Sequence, residues 1–187
     1  ARRAERGHRL REDGREQHRY IGEKQAFPIL IEGLKKLEYR GYDSAGVALV
    51  KDQGELNVYK TTGKVANLET LVDGKDIEGH VGIAHTRWAT HGEPSVKNAH
   101  PHVSMDGNIA IVHNGIIENY QVLKQQLVDR GYMFNSTTDT EVLCQLIDYY
   151  YNNNGSNLLS AVCSALNDVI GAYAIVVTEK KNPHHLV

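Results

Sequence analysis

Three polar stretches, each at one end of an apolar run, constrain this sequence most. They span residues 85–92, 113–115 and 138–141. The first two follow short apolar runs of the kind that form buried strands, and the third opens a helical pattern. Elements that end in polar residues bring those side chains to the edge of a core. The sequence therefore predicts a pocket where these ends meet.

The three stretches offer complementary chemical groups. Arg87 is a cation and Asp139 an anion, which is the pair that a free amino acid needs for its own carboxylate and ammonium groups. The amide of Asn114 and the bare backbone N–H of Gly115 are donors of the kind that stabilise a tetrahedral oxyanion. Simpler roles stay open on the residues alone: a surface arginine, a helix-terminus anion and an Asn-Gly turn.

Composition narrows the class of protein. A length of 187 residues suits one domain with a core of its own. The formal charge of −2 gives no reason to expect a nucleic-acid or membrane surface, and no apolar run approaches the ~20 residues of a membrane helix. Two cysteines, Cys144 and Cys163, do not form a disulfide framework. We expect a reducing, cytoplasmic location.

The first 19 residues differ from the rest of the chain. They contain seven arginines, four acidic residues and two histidines, and Leu10 is their only large aliphatic residue. Such a segment buries too little apolar surface to offset its ordering entropy, so we expect residues 1–19 to be disordered.

Helices and strand pairs alternate from residue 20 onward. Apolar residues at helical spacing, with end signals such as Pro28 and Gly131, indicate the helices, and Thr138 with Glu141 has the spacing of a capping box. Strand pairs between helices predict an α+β layered domain. The predicted helices are 27–37, 65–72, 117–130, 138–150 and 157–169, and the predicted strands are 47–50, 56–61, 80–86, 108–113 and 172–177, the last of them buried.

Four longer strings resemble one family. Residues 37–46 read LEYRGYDSAG, residues 86–92 TRWATHG, residues 98–102 NAHPH and residues 113–119 HNGIIEN. In this order they are similar to the glutaminase domain of the glutamine–fructose-6-phosphate amidotransferases. The likeness runs from about residue 20 to the end. Related glutaminases of purine, asparagine or glutamate synthesis do not usually carry the first two strings.

The resemblance implies a fold and a set of partners. The fold is the α+β, four-layer αββα sandwich of the N-terminal-nucleophile hydrolases, incomplete at both ends here. Residues 20–187 would form the glutaminase domain, without the sugar-isomerase domains that bind fructose 6-phosphate in the family. Glutamine would be the ligand, the full-length protein would be a homo-oligomer, and no cofactor or metal is expected.

The resemblance also gives the polar residues specific roles. By it, Arg87 binds the α-carboxylate of glutamine and Asp139 binds the ammonium group. The Asn114 side chain and the Gly115 backbone N–H form the oxyanion hole. Three further positions line the same pocket: Trp88, Thr90 and His91.

The chain departs from the family at the nucleophile. The family reaction uses a cysteine as first residue, whose thiolate attacks the amide while the free α-amine serves as base. Counting back from residues 20–22, Arg15 holds that position and further residues precede it. Cys144 and Cys163 lie in helical patterns, where a small buried thiol is the usual role. We expect the chain as given not to hydrolyse glutamine, and its sheet to be frayed where the first strand is replaced.

Three explanations of this departure stay open. The first is an altered leader joined at residue 20 to a sound glutaminase sequence. The second is a pseudo-glutaminase that binds glutamine without cleaving it. The third is a metal-dependent hydrolase built on the histidines, although no cysteine or carboxylate completes a recognised metal-binding spacing. For His100 and His102 we expect structural hydrogen bonds within the long loop that contains them instead.

Overall fold

A computed structural model describes residues 8–12, 15–36, 42–87 and 94–187. In the described part of the chain, no helix is both long and apolar enough to span a bilayer. The elements are β1 His8–Glu12, β2 Arg15–Ile21, α1 Ala26–Lys35, β3 Ser44–Val50, β4 Leu56–Thr62, α2 Val65–Val72, β5 Val81–Arg87, β6 His102–Val103, β7 Ile109–Ile117, α3 Tyr120–Asp129, α4 Asp139–Asn153, α5 Leu158–Asp168 and β8 Gly171–Glu179.

Two antiparallel sheets lie at the centre of the fold. The first has the strand order β1-β2-β5-β3-β4, and the second has the order β6-β7-β8. The sheets face each other through small apolar side chains, with Ala48 and Ile83 of the first sheet packed near Ala110, Val112 and Val176 of the second. Because β3 and β5 are covered on both faces, every residue in them is buried.

Helices cover the outer face of each sheet. Helices α1 and α2 pack on β3 and β5 of the first sheet. Helix α4 packs on β7 of the second sheet, and α3 and α5 pack against α4 in the same apolar cluster. The order is helix, sheet, sheet, helix, and the predicted α+β, four-layer αββα fold class is confirmed.

The expectation that residues 1–19 are disordered is wrong for residues 8–12 and 15–19, which form β1 and part of β2. Strand β2 pairs with β5 from Glu16↔Thr86 to Ile21↔Val81. The expectation that the sheet is frayed at this strand is therefore wrong. Gln17 is 1% exposed, and its Nε2 donates to Ala174 O of β8 at 2.7 Å. Backbone pairing and this buried side-chain hydrogen bond replace the apolar burial that the segment lacks.

The helices and strands predicted after residue 20 are all present, although several of their ends differ from the prediction. Residue 37, the predicted end of the first helix, lies outside the described residues. The helix predicted from residue 117 begins at Tyr120, because β7 continues to Ile117 by pairing with Gly171 of β8. The run 172–177 is buried only at Val176 and Val177, and Ala172 is exposed.

Candidate functional site

A cavity of about 90 Å³ opens where β5 and β7 end and α4 begins. Arg87, Gly115 and Asp139 all lie on its wall. The other lining residues are His100, Ile116, Ile117, Tyr120, Thr137, Thr138 and Thr140. The structure thus brings three of the sequence-predicted site residues to one cavity, from three different elements.

Arg87 forms the cationic wall. It is the last residue of β5 and is 6% exposed. Its backbone is held on one side by pairing with Ser44 of β3, and its carbonyl accepts a hydrogen bond from Asp43 N at 3.0 Å. A guanidinium on a cavity wall presents a planar fork of donors that matches a carboxylate.

Asp139 forms the anionic wall. It is the first residue of α4 and is half-buried. Its Oδ2 accepts a hydrogen bond from Ile117 N at 2.9 Å, which ties the start of α4 to the end of β7. The helix N-terminus stabilises a negative charge at this position. The carboxylate is therefore placed to meet a cation in the cavity.

Asn114 and Gly115 follow one another in β7 but have different surroundings. Asn114 is 1% exposed, and its Oδ1 lies 2.8 Å from Nε2 of His85, which stacks on His100 with ring centroids 4.4 Å apart. The amide oxygen accepts this bond, and the amide nitrogen is the donor group of the same side chain. Gly115 has a φ of 128°, and a Cβ there would lie 2.1 Å from Ala172 O.

The histidines around the cavity make structural hydrogen bonds. His100 Nδ1 accepts from His113 N at 3.3 Å, His113 Nδ1 lies 2.9 Å from Thr140 Oγ1, and His102 Nε2 lies 3.0 Å from Thr138 Oγ1. Burial, with neighbouring positive groups, lowers the pKa of His100 and His102 well below the ordinary value. Structural bonds are confirmed for both, although their partners lie on β7 and α4 and not within the loop.

Within the described ranges, no group of three or more histidine, cysteine, aspartate and glutamate side chains is arranged to hold a metal ion. Three of the predicted pocket residues, Trp88, Thr90 and His91, lie outside the described residues.

Glu141 has a role that the capping-box pattern does not predict. Thr138 Oγ1 accepts from Glu141 N at 3.2 Å, as the pattern requires. The Glu141 carboxylate, however, accepts from the backbone N–H groups of Asn135 and Ser136. Tyr120 and Thr137 were also missed as cavity residues. Thr137 could have been found because it precedes the polar stretch 138–141. Tyr120 could have been found because it follows the string 113–119.

Position 15 lies at the cavity end of the first sheet. Arg15 begins β2, and the next residue, Glu16, pairs with Thr86 of β5. Residue 15 is therefore level with Arg87. An arginine side chain is protonated at all ordinary pH values and is not a nucleophile.

Neither cysteine lies on the cavity wall. Cys144 is fully buried in α4, with Sγ 3.9 Å from Ile109 O, and burial raises the pKa of its thiol well above the ordinary value. Cys163 is exposed on α5, so the expectation of a buried thiol is wrong for it. Its position faces away from the core side of that helix, which carries Ala161, Val162 and Ala165.

Comparisons with known proteins agree on one family. Residues 72–187 match a family model described as the glutamine amidotransferase domain. The glutamine–fructose-6-phosphate aminotransferase (isomerizing) of Bacteroides thetaiotaomicron is 62% identical over 168 residues, which are 90% of this chain and 27% of that protein. The enzyme of the same name from Clostridium acetobutylicum is 54% identical over the same shares. The chain spans about a quarter of these relatives.

Solved structures show the same architecture. The allosteric regulatory enzyme of purine biosynthesis matches with a TM-score of 0.75 and 29% identity, over 88% of this chain and 35% of that one. A glutamine phosphoribosylpyrophosphate amidotransferase from B. subtilis matches with a TM-score of 0.72 over the same shares. The chain therefore belongs to the glutamine amidotransferase domain family and is homologous to the glutaminase domain of the glutamine–fructose-6-phosphate aminotransferases.

Proposed function

We propose that the cavity binds L-glutamine by its two charged ends. The observation that carries this proposal is that Arg87 and Asp139 lie on the wall of one cavity. The guanidinium would bind the α-carboxylate, and the Asp139 carboxylate would bind the ammonium group. Charge-assisted hydrogen bonds of this kind contribute ~1.5–3 kcal/mol each.

The third group of the site would act on the amide end of glutamine. The Asn114 side chain and the Gly115 backbone N–H are the proposed oxyanion hole, and one such donor typically stabilises the transition state by ~3 kcal/mol. Support comes from Gly115, which lies on the cavity wall, and from Asn114, which directly precedes it in β7 and whose amide oxygen is held by His85.

We propose further that this chain binds glutamine without hydrolysing it. Arg15 stands level with Arg87, where a nucleophile would be required, and it supplies neither a thiolate nor a base. The pairing of β2 with β5 and the buried Gln17 favour the pseudo-glutaminase over an unrelated leader, because this segment fits the sheet.

For a whole protein we infer a role by analogy with the relatives. As part of a longer chain with sugar-isomerase domains, an active form of this domain would release ammonia for the amination of fructose 6-phosphate to glucosamine 6-phosphate. We place such a protein in the cytoplasm, as a homo-oligomer without a metal or cofactor at this site.

Calorimetric titration with L-glutamine tests the binding proposal. The charge reversals Arg87→Glu and Asp139→Lys should each weaken binding at least about tenfold. Lys36→Glu is the matched control, because Lys36 is 71% exposed on its side chain and pairs only with Glu32 among the described ion pairs. Equal affinity of wild type and both reversals would refute the assignment.

A second experiment tests the catalytic proposal. The chain as given should release no glutamate from glutamine. Replacing residues 1–19 with a start of the form Cys-Gly-Ile-Val-Gly should restore glutamate release if only the leader is altered. A variant that binds glutamine and stays inactive would support the pseudo-glutaminase instead, and activity of the unmodified chain would overturn the proposal.

A further inference from the structure

The loop that precedes α4 forms one wall of the cavity. The Glu141 carboxylate holds this loop but does not itself line the cavity. We propose that Glu141 is a positioning residue that sets the affinity of the pocket for the ammonium end of its ligand. This inference rests on the proposed function, because it concerns how the same pocket recognises an amino acid.

The Glu141 carboxylate is buried among donors from the loop 135–138. Glu141 is 4% exposed. Oε1 accepts from Asn135 N at 2.9 Å, and Oε2 accepts from Ser136 N at 2.7 Å and from Ser136 Oγ at 2.6 Å. Three donors to one buried carboxylate form a rigid connection between the helix and the loop.

The pattern differs from an ordinary capping box. In that motif the glutamate side chain returns to the N–H of the N-cap residue. Here Thr138 N donates to Ser136 Oγ at 3.3 Å. The glutamate carboxylate accepts instead from Asn135 and Ser136, which precede the N-cap residue. The carboxylate is therefore used to fix the loop, while the cap itself is completed by Ser136.

The loop fixed in this way is a wall of the cavity. Thr137 and Thr138 line it directly, and Asp139 follows them in the chain. The loop has a second attachment, since Thr137 N and Oγ1 donate to Asn98 Oδ1 at 3.1 and 3.3 Å. Glu141 thus supports the Asp139 side of the pocket, whereas Arg87, the last residue of β5, is held by pairing with β3 in the first sheet.

The exchange Glu141→Gln gives a clear physical expectation. The shape is kept, but one oxygen acceptor becomes an NH₂ donor that faces an N–H of the loop. One of the Asn135 and Ser136 amides then loses its partner, and the loop shifts or loosens. Affinity for the ammonium end should fall, while the Arg87 end should be unaffected.

The test compares two ligands on the full chain by ligand-observed NMR, which detects millimolar binding, and by calorimetry for the tighter cases. The ligands are L-glutamine and 4-carbamoylbutanoate, which lacks the ammonium group. Glu141→Gln should lower the affinity for L-glutamine about tenfold. The affinity for 4-carbamoylbutanoate should change less than about twofold. Hydrogen exchange at the Asn135 and Ser136 amides should also become faster.

The matched control is Asp148→Asn. It makes the same carboxylate-to-amide change at a buried residue of α4, bonded to Tyr132 OH at 2.9 Å and not on the cavity wall. It should leave the affinity for both ligands unchanged. If Glu141→Gln does not fold, Ser136→Ala removes one donor to Oε2 and should show a smaller loss in the same direction.

The outcomes separate the two proposals. A wild-type chain that does not bind L-glutamine overturns the proposed function and this inference together. If wild type and Glu141→Gln bind L-glutamine with equal affinity, only the inference about Glu141 is refuted. An equal loss for both ligands, or the same loss in Asp148→Asn, would show a general structural effect and would also overturn it.

Discussion

Gly115 lies so close to Ala172 that a Cβ atom on the glycine would come within 2.1 Å of the alanine carbonyl oxygen. The same glycine has a φ of 128°, which other residues rarely adopt. Strand β8 therefore excludes every side chain at a position on the cavity wall. The bare N–H proposed for the oxyanion hole and the packing of two strands depend on one residue.

Gly115→Ala should be strongly destabilising. The clash is with backbone atoms of β8, which cannot move without disturbing the second sheet, so we expect a loss of about 2–4 kcal/mol in the free energy of unfolding. Urea denaturation measures it. Gly131→Ala is the control, because Gly131 has a φ of 90° with nothing within 4 Å of its Cβ position, and it should cost only ~1 kcal/mol. Similar losses in both variants would contradict the packing argument.

Arg87→Lys should weaken glutamine binding although the charge is kept. Lysine offers a single charged centre in place of the planar fork that fits a carboxylate with two parallel bonds. We expect about a tenfold increase in the calorimetric dissociation constant, with unchanged thermal stability. An unchanged constant would mean that this side chain supplies only charge to the site.

Replacing Asp148 should stabilise the protein near neutral pH. Burial and the neighbouring Asp106 raise the pKa of Asp148 from 3.8 to about 6, although the Tyr132 hydroxyl donates to it. The native state then binds a proton more tightly than the unfolded chain, so this carboxyl costs stability as the pH rises from about 4 to about 6. Asp148→Asn removes that cost.

The measurement is the difference in unfolding free energy between Asp148→Asn and wild type at pH 4 and pH 7. It should shift in favour of the variant at the higher pH. Asp129→Asn, at an exposed position on α3, should show no such shift. A difference that is independent of pH would indicate that the pKa of Asp148 is the same in the native and unfolded states.

The buried imidazoles should make the protein sensitive to acid. The pKa values of His100 and His102 are lowered well below 6.5, mainly by burial. Below that pH the unfolded chain binds protons on these residues and the native state does not, so stability is lost as the pH falls from 6.5 toward the lowered values. NMR titration of the imidazole resonances in the folded protein checks this: protonation near pH 6.5 would contradict it.

Local sequence pattern was sufficient for much of the fold. Helix α2 has the predicted bounds, because its apolar spacing is undisturbed by distant contacts. Arg87 and Asp139 could be placed at one cavity, since each follows or opens an element whose type is clear from its own residues. Strand β2 could not be predicted, because its partner β5 lies far along the chain and the charged residues of β2 have no apolar pattern that indicates a strand.

The position of Glu141 shows a second kind of limit. The same spacing that predicts a capping box also permits the carboxylate to bond Asn135 and Ser136, and local pattern does not rank the two. Thr137, in the same loop, is held by Asn98 from another part of the chain. Side-chain partners set by such distant contacts are visible only once the chain is folded.

Strand β5 lies between β2 and β3, and Arg87 is its last residue. A strand with hydrogen-bonded neighbours on both sides is among the last parts of a protein to open, so amide exchange along it reports unfolding of the whole molecule. The cationic end of the pocket therefore keeps its shape for as long as the protein stays folded. Any movement that admits or releases a ligand must occur elsewhere around the opening.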